Sequence, residues 1–233
     1  MIPIKDINPS RTAPVVTSLI IIICFFIFLY EVILPPDLRE IFISKFAVIP
    51  YEITHGIDVP PPDPLTPYGN LISYQYLHGS WMHILGNMLF LWVFGDNVED
   101  KLGKLRYFIF YTVCGIVAAL IQVLVYPNSN IPLIGASGAI SGVLGAYPVL
   151  FPRAQIITLV FIFFLVDVVA VPAAVWIAAW FMIQFISAMV SATHLSMGGV
   201  AWFAHIGGFL AGVILTKFFA PKENGMGSYK VAS

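Results

Sequence analysis

The chain has 233 residues, of which 59% are hydrophobic and only 10% are charged, and its formal net charge is −1. Soluble globular domains carry about 25% charged residues, so this composition predicts a membrane protein. The near-neutral charge gives no sign of the basic surface that binds nucleic acid, and we expect no nucleic-acid partner.

The first apolar run, "VVTSLIIIICFFIFLYEVIL", covers residues 15–34 and follows Lys5 and Arg11. The apolar core of a signal peptide has about 7 to 15 residues before a small-residue cleavage site. This run is longer and is followed by the polar, proline-containing sequence "PPDLRE". We therefore interpret it as a retained transmembrane helix, preceded by a cytoplasmic segment of residues 1–14.

Further apolar runs follow along the chain, and a transmembrane span needs about 20 mainly apolar residues. The segment of residues 154–172 is a candidate for an additional span, but it contains Asp167 and ends at Pro172 with no polar loop. Without that segment, six spans are predicted, near residues 15–34, 76–95, 105–126, 136–150, 172–192 and 200–219.

The distribution of positive charge decides between six and seven spans, because cytoplasmic loops carry an excess of lysine and arginine. With six spans and an inner N-terminus, nine of the eleven lysines and arginines lie inside, and only Arg39 and Lys45 lie outside. A seventh span would change nine against two into six against five. We predict six spans with both termini cytoplasmic, and expect residues 154–172 to lie in or dip into the inner leaflet.

The predicted fold class is therefore all-α: a polytopic membrane protein whose six-transmembrane helical bundle covers residues 15–219. Its longest loop, about residues 35–75, is named the outer loop because we expect it to face outside, and its prolines exclude a continuous helix. Residues 220–233 are predicted to be a disordered cytoplasmic tail. Cys24 and Cys114 fall inside apolar runs and are predicted to be buried thiols.

Polar side chains inside spans are costly and are functional candidates by default. From the helical rise and the predicted span starts, His205 lies about 8 Å and His83 about 10 Å below the outer face. The short helix that follows Ser137 covers about 21 Å of a hydrocarbon core of about 30 Å, so it begins about 9 Å below that face. The three side chains are therefore expected in one layer.

The backbone before Ser137, "IPLIGA", must then enter the membrane without helical structure. Such backbone is tolerated only when it is buried in protein or lines a water-filled cavity. Small residues would bring the neighbouring helices close together. Gly138 and Gly142 form a small-xxx-small pair on the fourth span, and Gly208 and Gly212 form another on the sixth.

Ser137 and His205 are a candidate catalytic pair, because a histidine beside a serine can take the hydroxyl proton and create a nucleophile. Asp96, Glu99, Asp100 and Asp167 map to the inner side, and Glu31, near the outer end of a span, shows no sign of facing His205. We therefore expect a Ser-His dyad rather than a triad. Taken alone, Ser137 would be a helix-packing residue and His205 an interhelical hydrogen-bond donor.

His83 and Asn87 are four residues apart, on one helix face, and are candidate donors to an oxyanion, together with the backbone N–H of Ser137. Alone, Asn87 would bridge two helices. Zinc binding is a competing use of the histidines, but no H-E-x-x-H motif occurs and His78 has the wrong helical spacing from His83. We expect no metal and no cofactor.

Three motifs resemble the rhomboid family of intramembrane serine proteases, and they occur in the family's order. They are "HGSWMHILGNMLFLWVFGDNVEDKLG", "GASGAISGVLGAY" and "AHIGGFLAG", and with "FYTVCGIVAAL" they extend over most of residues 70–215. The resemblance implies a helical bundle of the rhomboid type and a serine endopeptidase without cofactor. Its substrates would be single-pass or polytopic membrane proteins in the lipid bilayer, cleaved near the outer-leaflet ends of transmembrane segments.

The resemblance also implies roles for individual residues. Ser137 would be the nucleophile and His205 the general base. His83, Asn87 and the backbone N–H of Ser137 would stabilise the oxyanion, and Gly135 would shape the approach to it.

Other positions are compared with the family in the same way. Gly138 and Gly208 would support the site through close helix packing, and Glu99 resembles the family's structural carboxylate at the inner end. Some members have an aromatic residue four positions after the serine, stacked on the histidine, where this chain has Ser141.

Two other function classes compete with the protease. A non-catalytic relative would be expected to lack the serine or the histidine, and both are present here. A small channel or transporter is indicated only by the expected cavity, and no charged residue lies at mid-membrane depth on a pathway. The absence of visible extra domains is typical of a compact prokaryotic member, so we expect a prokaryotic cell membrane.

Overall fold

The computed structural model describes residues 2–60, 62–162, 165–193 and 201–221, and these form mainly a bundle of helices. The predicted disordered tail falls, from residue 222 onward, outside the described residues. In chain order the helices are α1 (Val15–Ile33), α2 (Pro36–Phe46), α3 (Pro50–His55), α4 (Thr66–Ser73), α5 (Trp81–Leu102), α6 (Lys104–Val125), α7 (Ser137–Leu150), α8 (Ala173–Thr193) and α9 (Trp202–Phe219).

Six of these helices, α1 and α5 to α9, occupy the six segments predicted as spans. Among the described residues, α1, α6, α9 and residues Ala173–Val190 of α8 are long and apolar enough to cross a membrane. Helix α7 is shorter, with 14 residues, as the sequence predicts. The helical membrane architecture is thus confirmed, and the bundle is consistent with six spans.

The bounds of helix α5 differ from the prediction, which placed this span at residues 76–95. It begins after Ser80, whose Oγ atom accepts a hydrogen bond of 3.2 Å from the backbone N–H of His83 and so acts as the N-cap. It ends at Leu102, because the next residue, Gly103, has a φ of +82°, which favours glycine and breaks the helix. The helix therefore starts later and extends further than hydropathy indicated.

Residues 155–162 and 165–172 form two paired β-strands and not a seventh helical span. Strand β1 (Ile2–Asp6), in the predicted cytoplasmic N-terminal segment, pairs antiparallel with β2 (Gln155–Ile162), which pairs antiparallel with β3 (Leu165–Pro172). Strands β2 and β3 are rich in Val and Ile, which favour strand structure. This result is consistent with six spans, but the sheet was not predicted, and the position of the segment at the inner leaflet stays a prediction.

The outer loop contains three short helices, so the expected absence of a continuous helix is confirmed. Each of them has a proline at its first or second position, where the missing N–H costs nothing. The backbones of Val48 and Leu133 exchange two hydrogen bonds, of 3.1 and 2.8 Å. This pairing ties the outer loop to the chain just before α7.

Glycines allow α7 and α9 to pack with their backbones in contact. A Cβ atom added to Gly208 would overlap the carbonyl oxygen of Gly138, and one added to Gly212 would overlap that of Gly142. Both predicted small-xxx-small pairs therefore lie at the same helix interface. This close approach brings the start of α7 next to the first turns of α9.

Glu99 on α5 is buried and caps the start of α1. Its Oε1 atom accepts the backbone N–H of Val16 at 2.9 Å, and its Oε2 atom accepts that of Thr17 at 2.8 Å. The residue before the helix, Pro14, provides no side-chain cap of its own. The carboxylate therefore satisfies two helix N–H groups that would otherwise lack partners.

The two cysteines are buried deep in the bundle. Cys24 on α1 and Cys114 on α6 are both free thiols with no exposed surface. The prediction of two buried thiols is confirmed.

Candidate active site

The hydroxyl of Ser137 and the ring of His205 are in hydrogen-bonding contact. The Oγ atom of Ser137, the first residue of α7, lies 2.8 Å from the Nε2 atom of His205 on α9. The glycine interface between the two helices makes this approach possible. A nucleophile and a base within this distance are the arrangement that proton transfer requires.

The depths calculated from the sequence assumed earlier helix starts than the structure has. His83 is the third residue of α5 rather than the eighth of a span from residue 76, and His205 is the fourth residue of α9. The helix starts from which the depths of these two histidines were calculated therefore differ from those in the structure, and the depths themselves stay predictions. Ser137, His83 and His205 nevertheless line the same cavity.

The second ring nitrogen of His205 contacts Gln184, a residue that the sequence analysis did not single out. The Nδ1 atom of His205 lies 2.7 Å from Oε1 of Gln184 on α8, whose side chain is 7% exposed. An amide oxygen only accepts hydrogen bonds, so Nδ1 carries the proton. Nε2 is then unprotonated and accepts a hydrogen bond from the hydroxyl of Ser137.

The sequence does contain a signal for Gln184. It is the only strongly polar side chain in the run "WIAAWFMIQFISAMV", and a polar residue inside a span is a functional candidate by default. No acidic residue occupies its place, so the partner of His205 Nδ1 is an amide and not a carboxylate.

Ser141 lies one helical turn after Ser137 and does not support the histidine. Its buried Oγ donates a 2.7 Å hydrogen bond to the carbonyl oxygen of Ser137. Aromatic rings approach His205 from elsewhere: the Trp180 ring is 6.3 Å away between centroids, and the Trp202 ring 6.0 Å away at 90°. The aromatic environment therefore comes from α8 and from the start of α9.

His83 is oriented by the turn before α5. The backbone N–H of Gly79 donates to Nδ1 of His83 at 3.4 Å, while the N-cap contact to Ser80 holds the backbone of His83. Because Nδ1 accepts this hydrogen bond, Nε2 carries the ring proton. His83 thus has an N–H donor on the side opposite to Gly79.

Gly135 lies against both side-chain donors of the predicted oxyanion site. A Cβ atom added there would lie 2.6 Å from Nε2 of His83 and 3.7 Å from Nδ2 of Asn87. Its φ of +121° is also accessible mainly to glycine, and its N–H donates to the carbonyl oxygen of Tyr74 at 2.9 Å. The Nδ2 atom of Asn87 is buried and has no hydrogen-bond partner among the described residues.

A cavity of about 1100 Å³ reaches these groups and is lined by Ser137, His205, His83 and Asn87. A serine hydroxyl, an imidazole and N–H donors therefore face one space, a combination that can perform acyl transfer. Among the described residues, the one group of three or more potential metal-ligating side chains lies in the outer loop, and none of its members lines this cavity.

Comparison with known proteins identifies the family to which the chain is similar. The family model of the Rhomboid domain matches residues 67–222. Rhomboid protein 1, mitochondrial, of Saccharomyces cerevisiae is 32% identical over 150 residues, which are 62% of this chain and 40% of the yeast protein. RHOMBOID-like protein 4 of Arabidopsis thaliana is 32% identical over 148 residues, 62% of this chain and 32% of the plant protein.

A further relative, RHOMBOID-like protein 5 of Arabidopsis thaliana, is 36% identical over 76 residues, which are 33% of this chain and 25% of the plant protein. The chain spans less than half the length of these three relatives. The match at residues 67–222 covers more than half of the chain and includes Ser137 and His205. The chain therefore belongs to the rhomboid family, as its three motifs predicted.

Proposed function

We propose that the protein is an intramembrane serine endopeptidase that hydrolyses peptide bonds in or near transmembrane segments of membrane proteins. The observation that carries this proposal is the 2.8 Å contact between Ser137 Oγ and His205 Nε2, within a cavity that also contains N–H donors. Membership of a family that generally consists of intramembrane serine proteases supports it further.

In the first step, Oγ of Ser137 forms a bond to the carbonyl carbon of the substrate while Nε2 of His205 takes the hydroxyl proton. The carbonyl π electrons move to the oxygen, which becomes an oxyanion. The donors for this oxyanion are Nε2–H of His83, Nδ2–H of Asn87 and the backbone N–H of Ser137 at the start of α7. A buried donor without a partner costs about 1–3 kcal/mol. An oxyanion that accepts a hydrogen bond from Nδ2 of Asn87 removes this cost.

In the second step, protonated His205 gives its proton to the leaving nitrogen, the C–N bond breaks, and an ester remains on Ser137. A water molecule then attacks the ester carbon while Nε2 of His205 takes a proton from it. The C–O bond to Ser137 breaks, the oxygen recovers its proton, and the new carboxyl terminus leaves. Both steps use His205 in the same tautomer.

Gln184 is a positioning residue in this scheme. Its Oε1 atom accepts the Nδ1 proton of His205, which keeps Nε2 directed at Ser137 and available as a base. Because the amide is neutral, it orients the ring without providing a counter-charge. The reaction is thus a dyad mechanism with an orienting amide.

The position of the site among apolar helices favours substrates that are themselves in the membrane. A backbone that reaches Ser137 must be unwound locally, since helical carbonyls are engaged in hydrogen bonds. We also propose that both termini face the cytoplasm, on the basis of the positive charge distribution. The source membrane stays a prediction from the sequence.

A pair of serine variants tests the proposal. Ser137→Ala should abolish cleavage of a transmembrane reporter, while Ser141→Ala, one turn away and not in contact with His205, should retain it. A fluorophosphonate probe should label the wild type and not His205→Ala. Cleavage that persists in Ser137→Ala would exclude the mechanism, and a wild type that neither cleaves nor is labelled would indicate a non-catalytic relative.

A further inference from the structure

Three carboxylates of the outer loop converge at a place that the proposed protease mechanism does not use. Glu52 is on α3, and Asp58 and Asp63 are in the loop that leads to α4. One carboxylate oxygen from each residue lies within 4.8 Å of those from the other two. Like charges at such separations repel one another unless a cation or a proton compensates them.

Glu52 supplies a second and independent observation. Its side chain is only 1% exposed. The Oε1 atom accepts the backbone N–H of Val59 at 3.0 Å, but Oε2 is buried with no hydrogen-bond partner among the described residues. Burial of a carboxylate oxygen without a partner is strongly unfavourable, so this atom lacks the ligand that would stabilise it.

The hydrogen bonds to the cluster come from neutral groups. Asp63 accepts a 2.7 Å hydrogen bond from Nδ2 of Asn70, and the N–H of Asp63 donates to the Asp58 carboxylate at 3.1 Å. Neither bond brings a positive charge to the three carboxylates, and neither reaches Oε2 of Glu52.

We propose that Glu52, Asp58 and Asp63 form a Ca²⁺ site in the outer loop. Calcium takes oxygen ligands at about 2.3–2.6 Å, so oxygens on opposite sides of the ion are about 5 Å apart, which accommodates the observed spacing. Mg²⁺ binds at about 2.0–2.1 Å in near-ideal octahedral geometry and usually takes only one or two carboxylates, so three carboxylates favour Ca²⁺. Backbone carbonyls and water would complete the coordination. This site departs from the expectation of no metal, which considered only histidine ligands.

Calcium at this position would link the outer loop to the wall of the active-site cavity. Asn70, at the centre of α4, donates to both Asp63 and the carbonyl oxygen of Lys45, at 2.7 and 3.3 Å. Helix α4 continues directly into Tyr74, whose carbonyl oxygen accepts the N–H of Gly135. Binding at the loop should therefore stabilise the fold measurably.

The test uses the full chain purified in detergent micelles, with Ca²⁺ or Mg²⁺ titrated at constant ionic strength. Calorimetry should detect one saturable Ca²⁺ per chain, and saturation should raise the Tm by several degrees, with Mg²⁺ at least tenfold weaker. Glu52→Gln keeps the side-chain shape and should abolish both effects while leaving the calcium-free Tm equal or higher. Glu40→Gln, an exposed outer-loop residue, is the control of matched charge and should respond like the wild type.

The site would be overturned if no saturable Ca²⁺ binding occurs up to about 10 mM, which is the weak end of protein calcium sites. Equal effects of Mg²⁺ and Ca²⁺ would also overturn it. So would unchanged Ca²⁺ binding in Glu52→Gln. If that variant fails to fold, Asp63→Asn provides the same comparison. None of these measurements depends on proteolysis, so their outcome is independent of the proposed protease function.

Discussion

Gln184 on α8 and His205 on α9 are joined by a hydrogen bond of 2.7 Å between Oε1 and Nδ1. The general base of the proposed dyad is therefore oriented by a third helix, which carries neither the serine nor the histidine. Any displacement of α8 that breaks this contact would release the imidazole to rotate or to change tautomer. The arrangement makes the alignment of Ser137 and His205 dependent on the packing of α8.

Replacing Gln184 should affect the rate more than substrate binding. We expect Gln184→Leu to lower kcat by about 100-fold, because general base catalysis is worth about 10²–10⁴ and requires the correct tautomer. KM should change little, since Gln184 faces His205 and not the substrate. Gln184→Glu keeps an acceptor oxygen at the same position and should restore most of the activity, measured as cleavage per folded molecule.

A purely structural role for Gln184 has a different signature. It would lower the yield of folded protein in both variants and leave kcat of the folded fraction unchanged. Wild-type kcat in Gln184→Leu would contradict the positioning role.

The approximate positions of the six helices predicted as spans were predictable, because an apolar run that crosses a membrane must satisfy its backbone hydrogen bonds internally, which a helix does. The proximity of Ser137 and His205 was also predictable, since glycines on both helices indicate their interface. Their catalytic roles stay a prediction that the reporter experiment tests. The family was predictable from three motifs, and the comparisons confirm it.

Other features depend on contacts that hydropathy does not reveal, and two of the three examples join segments that are remote in the sequence. Residues 154–172 have the hydropathy of a helix, and their strand structure depends on pairing with β1 at the other end of the chain. The start of α5 depends on the Ser80 cap, which hydropathy does not detect. The contact of Gln184 with His205 depends on how α8 is rotated, which its almost uniformly apolar sequence leaves undetermined.

The glycine interface should tolerate no side chain. Gly208→Ala would place a methyl group into the carbonyl of Gly138, and we expect it to lower the free energy of unfolding by about 1–3 kcal/mol and to separate Ser137 from His205. Gly86→Ala on α5 is the matched control, because its added Cβ would meet nothing within 4 Å. It should be neutral or stabilising by up to about 1 kcal/mol.

Unfolding of both glycine variants in mixed micelles, together with cleavage per folded molecule, measures these effects. Equal stability of Gly208→Ala and Gly86→Ala would show that the helices can separate without cost. That result would contradict the close-packed interface.

Removing the Glu99 carboxylate should destabilise the start of α1. Glu99→Ala leaves the N–H groups of Val16 and Thr17 without partners, and we expect a loss of about 2–4 kcal/mol in the free energy of unfolding. Glu99→Gln keeps one acceptor and should lose less. Hydrogen exchange should accelerate in the first turn of α1 and not in α9. Unchanged protection of Val16 and Thr17 in Glu99→Ala would mean that the cap contributes nothing.

Asp6 in β1 should make stability depend on pH. Its carboxylate accepts hydrogen bonds from the Tyr147 hydroxyl and from Nδ2 of Asn97. Burial raises the pKa of Asp6 to about 6 from an ordinary 3.8, and the charge of Asp96 acts in the same direction. The folded protein therefore holds this proton at a pH where the unfolded chain has released it. The resulting destabilisation is absent below about pH 4, grows between pH 4 and 6, and is complete above pH 6.

Asp6→Asn removes that ionisation and keeps an acceptor oxygen for Tyr147 and Asn97. We expect the variant to gain stability relative to the wild type as the pH rises from 4 to 7. The gain should be about 1 kcal/mol, because Asp6 is only partly buried and solvent screens its charge. Urea unfolding of both proteins at pH 4, 5, 6 and 7 measures it. A difference that is constant across this range would show that Asp6 ionises equally in both states, and one that favours the wild type more at pH 7 than at pH 4 would show that folding lowers the pKa of Asp6.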